Sequence, residues 1–387
     1  NDARRRSLET GTGTEPMRVM SVVPTLGPGG AESIAVDIAV GLASRGFESA
    51  LHVIAEQRGE RGQALAERLD AGAVVTYCAN IKSPRFLYST SRKLFNSITQ
   101  FRPHAIIAHL PAAEFYVALA SFRLPGLGKT RLRVLHNVRQ PTRIQRLISS
   151  QFKMSIAVSN EVQEIAKAHG WAVEFIPNGV RSDVLPLPNR QHMKKSVKIA
   201  MVGSFRFGLT GPKGLDLALD ALSKLADRMP FEFHLLGLPR ADVSMLNIVS
   251  SANLRGRIVD HGVVPCLVDK LHVVEPDLCL MPSRNEGLSV TLMEYSVLGL
   301  PVVLSDIRSF KELFEPEFDW TFFASGNPVA LADAIERRLG SEHRVKGYST
   351  RAAQKFDIEK MLDRYARLIS DCRSVQLERE HRGSVRP

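Results

Sequence analysis

Short apolar runs alternate with helix-period stretches along this chain, and the alternation breaks once and then restarts. Before the break, runs at 17–23, 50–54, 73–77, 105–108, 132–135, 155–158 and 174–176 read as strands. The stretches between them carry helical spacing, as in Ile34, Ile38 and Leu42. The break is LPLPNRQHMKKS at 185–196, with two prolines and no apolar period. After it, strands are expected at 197–202, 231–236, 257–260, 278–281, 301–304 and 321–323, and helices at 214–227, 288–298, 309–315 and 328–339. Strands that are apolar throughout and separated by helices belong to parallel sheets covered on both faces. The expected fold is therefore α/β, with two doubly wound domains facing a cleft. Ligands of such sheets bind beyond the carboxyl ends of the strands, so the chemistry is expected between the domains.

The segment at 282–301, PSRNEGLSVTLMEYSVLGLP, lies at one of those carboxyl ends. It follows the apolar run 278–281 and opens a helix. Gly287, Leu288, Ser289 and Val290 are expected to form the first helical turn, with free N–H groups at the positive end of the dipole. Such a terminus suits a phosphate. Glu286 precedes the turn and Glu294 follows it, and carboxylates suit hydroxyls. A ligand with both features is a nucleotide sugar. Taken singly, Glu286 could be a helix-start charge and Glu294 an exposed helix residue.

Other loops converge on the same region. Pro24 to Glu32 holds Gly27, Gly29 and Gly30 between the first strand and first helix. Glycine there permits close backbone approach, and an anionic or hydroxylated group is the preferred ligand. A dinucleotide fingerprint is weakened because Glu32 replaces its last glycine. His109 and His136 end strands of the first half and are expected to point into the cleft, as hydrogen-bond or proton-transfer groups. Each could instead be a structural histidine. Arg206 and Lys213 bracket the loop after the strand at 197–202, where two cations would neutralise a leaving diphosphate. They could also be surface cations of a mobile loop. Asn178-Gly179 reads first as a turn. No G-x-x-x-x-G-K-[ST] run is present, which argues against a P-loop ATPase.

Charge is distributed unevenly. The formal net charge is +11, yet residues 82–153 contain thirteen lysines and arginines against a single acid, Glu114. Such a field attracts an anionic partner, whether membrane phospholipid, nucleic acid or a phosphorylated substrate; a solvated basic face is the plain alternative. The helix-period stretch 86–101 fits an interfacial amphipathic helix or an ordinary packing helix equally well. Basic residues without interleaved aromatics do not form a recognisable nucleic-acid module. Cys78, Cys266, Cys279 and Cys372 lack metal-ligand spacing and are expected to be reduced, mostly buried thiols of a cytoplasmic protein. Residues 1–16 are expected to be a disordered extension, with no apolar core of a secretory signal.

Pro282-Ser283-x-x-Glu286-Gly287 through Glu294 to Gly299-x-Pro301-Val302-Val303 resembles the signature of the family-four retaining glycosyltransferases. The Gly29-Gly30-Ala31-Glu32 loop, His136, Ile176 to Val180 and Lys213-Gly214 support the resemblance, which covers nearly all of 17–370. It implies the GT-B fold, with a Rossmann-like acceptor-binding domain at 17–190 and a Rossmann-like nucleotide-sugar domain at 191–355. A helix at 356–372 would cross back to the first domain, and 373–387 would be a tail. It implies transfer of a hexose-type sugar to a glycan or lipid-linked acceptor, retention of configuration, and neither metal nor cofactor beyond the donor substrate. Surface polysaccharide assembly is the implied setting, with docking on the inner face of the membrane through 82–153. By position, Glu294 would bind the ribose and Glu286 the donor sugar. Arg206 and Lys213 would hold the diphosphate with the N–H groups of Gly287, Leu288 and Ser289. Gly29 and Gly30 would approach the ligand, and His136 would contact the sugar or phosphate. Two departures stand out: Ser204 occupies the usual arginine position, and Arg181 replaces a common aspartate. A nucleotide-sugar epimerase on the same fold and a basic nucleic-acid-binding protein are the alternatives.

Overall fold

The computed structural model describes residues 15–27, 29–55, 59–78, 87–123, 130–181, 196–205, 208–238, 252–341 and 348–384. The expected extension at 1–16 and the break at 185–196 lie almost wholly outside these residues, and Arg206 does so entirely.

The first domain is a seven-stranded, wholly parallel sheet in the order β3-β2-β1-β4-β5-β6-β7. Its strands are β1 (Arg18–Val23), β2 (Glu48–Val53), β3 (Val75–Cys78), β4 (Ala105–His109), β5 (Thr130–Leu135), β6 (Met154–Ala157) and β7 (Val173–Phe175). In β1 every residue from Val19 to Val23 is buried, because helices cover both faces. These include α1 (Gly30–Ser44), α2 (Glu60–Ala71), α3 (Leu87–Phe101), α4 (Leu110–Arg123), α5 (Arg143–Ile148) and α6 (Asn160–Ala168). The order reverses between β1 and β4, which opens a crevice at their carboxyl ends.

The second domain repeats the plan with six parallel strands, β10-β9-β8-β11-β12-β13. They are β8 (Val197–Val202), β9 (Phe231–Leu236), β10 (Ile258–Asp260), β11 (Leu278–Met281), β12 (Val302–Ser305) and β13 (Trp320–Phe323). The helices used below are α7 (Leu215–Leu225), α8 (Leu267–Val274), α9 (Val290–Val297), α10 (Arg308–Lys311), α11 (Pro328–Leu339) and α12 (Tyr348–Lys355). Its reversal lies between β8 and β11. One apolar cluster runs from Val19 and Ile34 of the first domain through Leu292 and Val302 of the second to Leu362 and Tyr365. The two domains therefore share a core and do not meet through a wet interface alone.

The last helix, α13 (Ile358–Ser384), crosses back to the first domain. Arg45 bonds both Glu359 and Asp363 at 2.7 Å, and Lys153 Nζ donates to the Cys372 carbonyl. Val180 exchanges backbone hydrogen bonds with Phe356 and Ile358, so the Asn178-Gly179-Val180 loop forms the seam where this helix enters. The helix continues beyond 372 to Ser384, where a tail was expected; residues 373–382 are mostly good helix formers and contain no proline. The helix expected at 309–315 is the shorter α10, because Pro316 disfavours helical backbone at Glu315.

Three expectations change on burial. In α3, Leu94 and Ile98 are 0% and 2% exposed and pack with Met20 and Val117, so this helix covers the sheet. Its apolar stripe is not an interfacial face. Arg133, counted in the basic segment, is itself buried. Of the cysteines, Cys279 and Cys372 are buried, whereas Cys78 and Cys266 are exposed.

Candidate functional site

A cleft opens between the domains at the carboxyl ends of β8 and β9. Gly29, Gly30 and Arg61 line it from the first domain, and Ser204, Lys213 and Glu294 from the second.

The loop after β11 builds one wall. Glu286 Oε1 accepts from Ser283 Oγ at 3.0 Å and from Lys213 Nζ at 2.5 Å. Arg284 clamps Asp216 through two bonds, at 2.8 and 2.6 Å, and its N–H donates to the Pro212 carbonyl. The Lys213 loop is thus fixed to the Glu286 loop at both ends. Gly214 sits between them at φ 69°, and a Cβ there would lie 2.1 Å from the Pro282 carbonyl oxygen. Only glycine satisfies both the left-handed backbone and that approach.

Helix α9 begins at Val290, not at Gly287, because Ser289 caps it: its Oγ accepts from Leu292 N at 3.3 Å. Gly287 and Leu288 remain in the loop. Gly287 meets the first domain instead, and a Cβ there would fall 2.0 Å from the His136 carbonyl oxygen. Asn285 Nδ2 donates to the Val138 carbonyl at the same seam. The α9 residues facing the pocket are Val290, Thr291 and Glu294. Val290 also stands opposite Gly30, where a Cβ would meet its Cγ2 at 3.3 Å.

Glu294 is partly buried, and that burial pushes its carboxyl up to about 7. Arg61 opposes the shift and Asp37 reinforces it. Asp37 is itself raised by burial, against the pull of its ion-pair partner Arg68. Arg61 was not anticipated from sequence. It opens α2, donates from Nη2 to Ser33 Oγ at 2.8 Å, and has a buried Nε without a hydrogen-bond partner among the described residues. Its position just beyond the carboxyl end of β2 was the available clue.

The two histidines behave differently from each other. His109 is fully buried at the end of β4 and does not face the cleft. Its ring stacks on His136 at 5.6 Å between centroids, with Nδ1 and His136 Nε2 3.3 Å apart. Burial lowers both: His136 to about 4, and His109 well below the ordinary value, with His136 as the second cause. Both rings are neutral at pH 7. His136 touches the Gly287 loop through its backbone, and it lines a separate cavity in the first domain and not the pocket between the domains. Gly29, Gly30, Lys213 and Glu294 thus share one pocket, and Glu286 is tied to it through Lys213. Gly287, Leu288 and Ser289 flank it. Ser204 is in the pocket wall, so the position where the resemblance puts arginine is a hydroxyl. Among the described residues no group of three His, Cys, Asp or Glu side chains is placed to hold a metal ion.

Two paired Rossmann-like domains with this cleft define the GT-B class. Comparison with known proteins agrees. Residues 196–341 match the family described as Glycosyl transferases group 1, and residues 28–184 match Glycosyltransferase Family 4. The chain belongs to the group 1 glycosyl transferases. It is similar to the O-antigen biosynthesis glycosyltransferase WclY of Escherichia coli, 28% identical over 166 residues, which is 42% of this chain and 44% of WclY. The amylovoran biosynthesis glycosyltransferase AmsK of Erwinia amylovora is 27% identical over 188 residues, 47% of this chain and 45% of AmsK. The matched region therefore spans less than half of either relative. Among solved structures, Anabaena HepE in complex with UDP and glucose superposes with a TM-score of 0.73 at 18% identity, covering 92% of this chain and all of HepE. That likeness is one of fold.

Proposed function

We propose that this protein transfers a sugar from a nucleoside-diphosphate sugar to a glycan or lipid-linked acceptor, with retention of anomeric configuration. The observation that carries the reading is the single pocket in which Lys213, tied to Glu286, and Glu294 face Gly29 and Gly30 of the other domain. Glu294 accepts hydrogen bonds from the ribose hydroxyls. Lys213 and the N–H groups at the start of α9 hold the diphosphate, with Arg206 as a further cation. Glu286 orients the donor sugar, and His136 bounds the site only through its backbone at the Gly287 seam. The bond from the anomeric carbon to the diphosphate oxygen breaks, and its electron pair leaves with the diphosphate. The acceptor hydroxyl attacks from the same face and passes its proton to the departing phosphate oxygen. No metal or cofactor is assigned to this scheme. The names of WclY and AmsK, O-antigen and amylovoran biosynthesis, support surface polysaccharide assembly as the setting, and the bound UDP of HepE supports a uridine nucleotide.

A panel of nucleoside diphosphates and their sugars should raise the melting temperature for one nucleotide by mass action. Release of that nucleotide should then depend on an added glycan acceptor. A panel without any stabilising nucleotide sinks the reading. Acceptor-independent release of an isomerised sugar would make the protein an epimerase.

The same proposal includes peripheral attachment to an anionic membrane through 82–153, on the cytoplasmic side. No helix among the described residues is long and apolar enough to cross a bilayer. On α5, Ile144 and Leu147 are 56% and 80% exposed, and on the contacting α4 Phe122 is 67% exposed. Arg143 and Arg146 of the same helix and Arg139 just before it are also exposed. Exposed apolar residues and arginines on one short helix suit the headgroup boundary of an anionic leaflet. The double change Ile144→Asp, Leu147→Asp should reduce flotation with phosphatidylglycerol vesicles about tenfold, as expected for losing partial burial of two aliphatic side chains. Flotation at the wild-type level would remove α5 from the docking face.

A further inference from the structure

Three charged side chains line the cleft between the domains: Lys213 and Glu294 from the second domain and Arg61 from the first. Lys213 is already engaged by the Glu286 carboxylate at 2.5 Å. Ser204 adds a hydroxyl and no charge. The second-domain wall therefore supplies little net positive charge for a ligand with several negative oxygens. Arg61 is different, because no described carboxylate lies in ion-pair contact with it.

The fold gives Arg61 a fixed place at some cost. It stands in the first turn of α2, just beyond the carboxyl end of β2. A cation in that turn is opposed by the helix dipole, which favours acids there. Ser33 of α1, 9% exposed, anchors the guanidinium: Arg61 Nη2 donates to its Oγ at 2.8 Å. The same Oγ lies 3.5 Å from the Gly29 carbonyl oxygen, so the arginine is tied to the glycine loop at the cleft. Arg61 Nε is buried and has no hydrogen-bond partner among the described residues. A buried guanidinium N–H without an acceptor costs free energy that a bound anion recovers. Neither the dipole nor an ion partner explains the cation, whereas an anion entering the cleft does.

The neighbours identify the anion. Arg61 lies near enough to Glu294 to pull its carboxyl down against the effect of burial. Glu294 is the group assigned to the ribose, and the diphosphate leaves the ribose through a single 5′ carbon. A cation beside the ribose and in the same wall as Lys213 stands along the diphosphate. Arginine offers donors only, and its planar fork matches two phosphate oxygens better than it matches ribose hydroxyls. We infer that Arg61 is the first domain's ligand for the donor diphosphate, gripping it from the side opposite Lys213. The inference rests on the glycosyltransferase reading and adds to it a residue and a consequence. The diphosphate is held by both domains at once, and neither domain alone carries the full site.

Calorimetry on the full chain tests this with UDP and GDP, and with pyrophosphate as a probe that lacks a nucleoside. Arg61→Ala should weaken the nucleoside diphosphate that binds wild type by about 10–100-fold, as expected for losing hydrogen bonds to a charged group. Arg61→Lys should recover only part of the affinity, because an ammonium lacks the fork. Ser33→Ala keeps the charge but releases its anchor, and should cost several-fold. Saturation-transfer NMR with the free nucleoside should give equal signals for wild type and Arg61→Ala. Equal affinity of these two proteins for the nucleoside diphosphate overturns the inference and leaves the functional reading standing. An equal loss for the free nucleoside overturns it as well, since Arg61 would then act on the ribose through Glu294. A wild type that binds no nucleoside diphosphate removes the functional reading. Pyrophosphate binding that depends on Arg61 would then keep the anion site, and its absence would remove both.

Discussion

Replacing Lys213 by alanine is expected to lower turnover about 10²–10³-fold while changing the donor KM only a few-fold, the usual cost of deleting one preorganised group aimed at developing charge. The argument is about timing. In the proposed donor complex the diphosphate is already ionic and would be shared among Lys213 and the N–H groups at the head of α9. When the anomeric bond breaks, a further negative charge appears on the bridging oxygen, and a cation held near it gains most at that moment. Lys213 is held: Glu286 Oε1 takes its ammonium at 2.5 Å, and the Arg284–Asp216 clamp fixes the loop on both sides. Alanine also strips Glu286 of its cation and leaves an uncompensated carboxylate beside an anionic leaving group. Arginine at 213 should recover only part of the rate, because a planar fork does not fit a position shaped for a point charge. The measurement is kcat and KM for nucleotide release at saturating acceptor. Turnover of Lys213→Ala within tenfold of wild type would show that the leaving group is stabilised elsewhere.

Much of this arrangement was legible in the residues, and the part that was not has identifiable causes. Strands β8, β9 and β11 fall where the apolar runs put them, because a strand buried on both faces has no other reading. Helix starts were less visible. Ser289 takes over as cap and pushes α9 past Gly287, a choice between neighbouring candidates that depends on one hydroxyl bond. The stripe of α3 was ambiguous because a core helix and an interfacial helix share one period, and only Leu94 and Ile98 at the sheet decide it. The exposed apolar pair of α5 left no periodic trace, since a six-residue helix is too short to show one.

The site divides along the same line. Glu286 and Lys213 were readable because each sits beside a glycine or proline that marks a loop at a strand end, and Glu294 because it lies on the helix which that loop opens. Arg61 was not, because its place in the pocket wall comes from tertiary neighbours: α2 sets it across the cleft from Glu294. The basic segment was misleading in one respect. Its charge count assumed that all its cations reach solvent, whereas Arg133 is turned inward and serves a carboxylate.

Nucleotide affinity is expected to rise with pH through about 7 and to be flat in Glu294→Gln. The Glu294 carboxyl, pushed up to about 7 by burial, is substantially protonated near neutrality in the free protein. Ribose hydroxyls donate more strongly to the ionised form, so nucleotide and proton compete for the same oxygens. Between pH 7.5 and 5.5 the wild-type affinity should fall on the order of tenfold, since each pH unit below the pKa limits the ionised fraction tenfold. Calorimetry at pH 6.5 in two buffers of different ionisation enthalpy should register proton release on binding. Stability should move the other way. A carboxyl raised from its ordinary 4.5 to about 7 holds more protons folded than unfolded within that window. Its contribution to stability is therefore lost as pH climbs from about 4.5 to about 7 and stays lost above. Glutamine removes this slope. The variant should be more stable than wild type at pH 8, by on the order of 2 kcal/mol, while binding nucleotide more weakly. Stability traded for binding at one carboxyl is the pattern of a functional group and not of a structural one. If Glu294→Gln is less stable than wild type at pH 8, or wild-type affinity is flat from pH 5.5 to 7.5, Glu294 does not bind the ribose as an ionised acceptor.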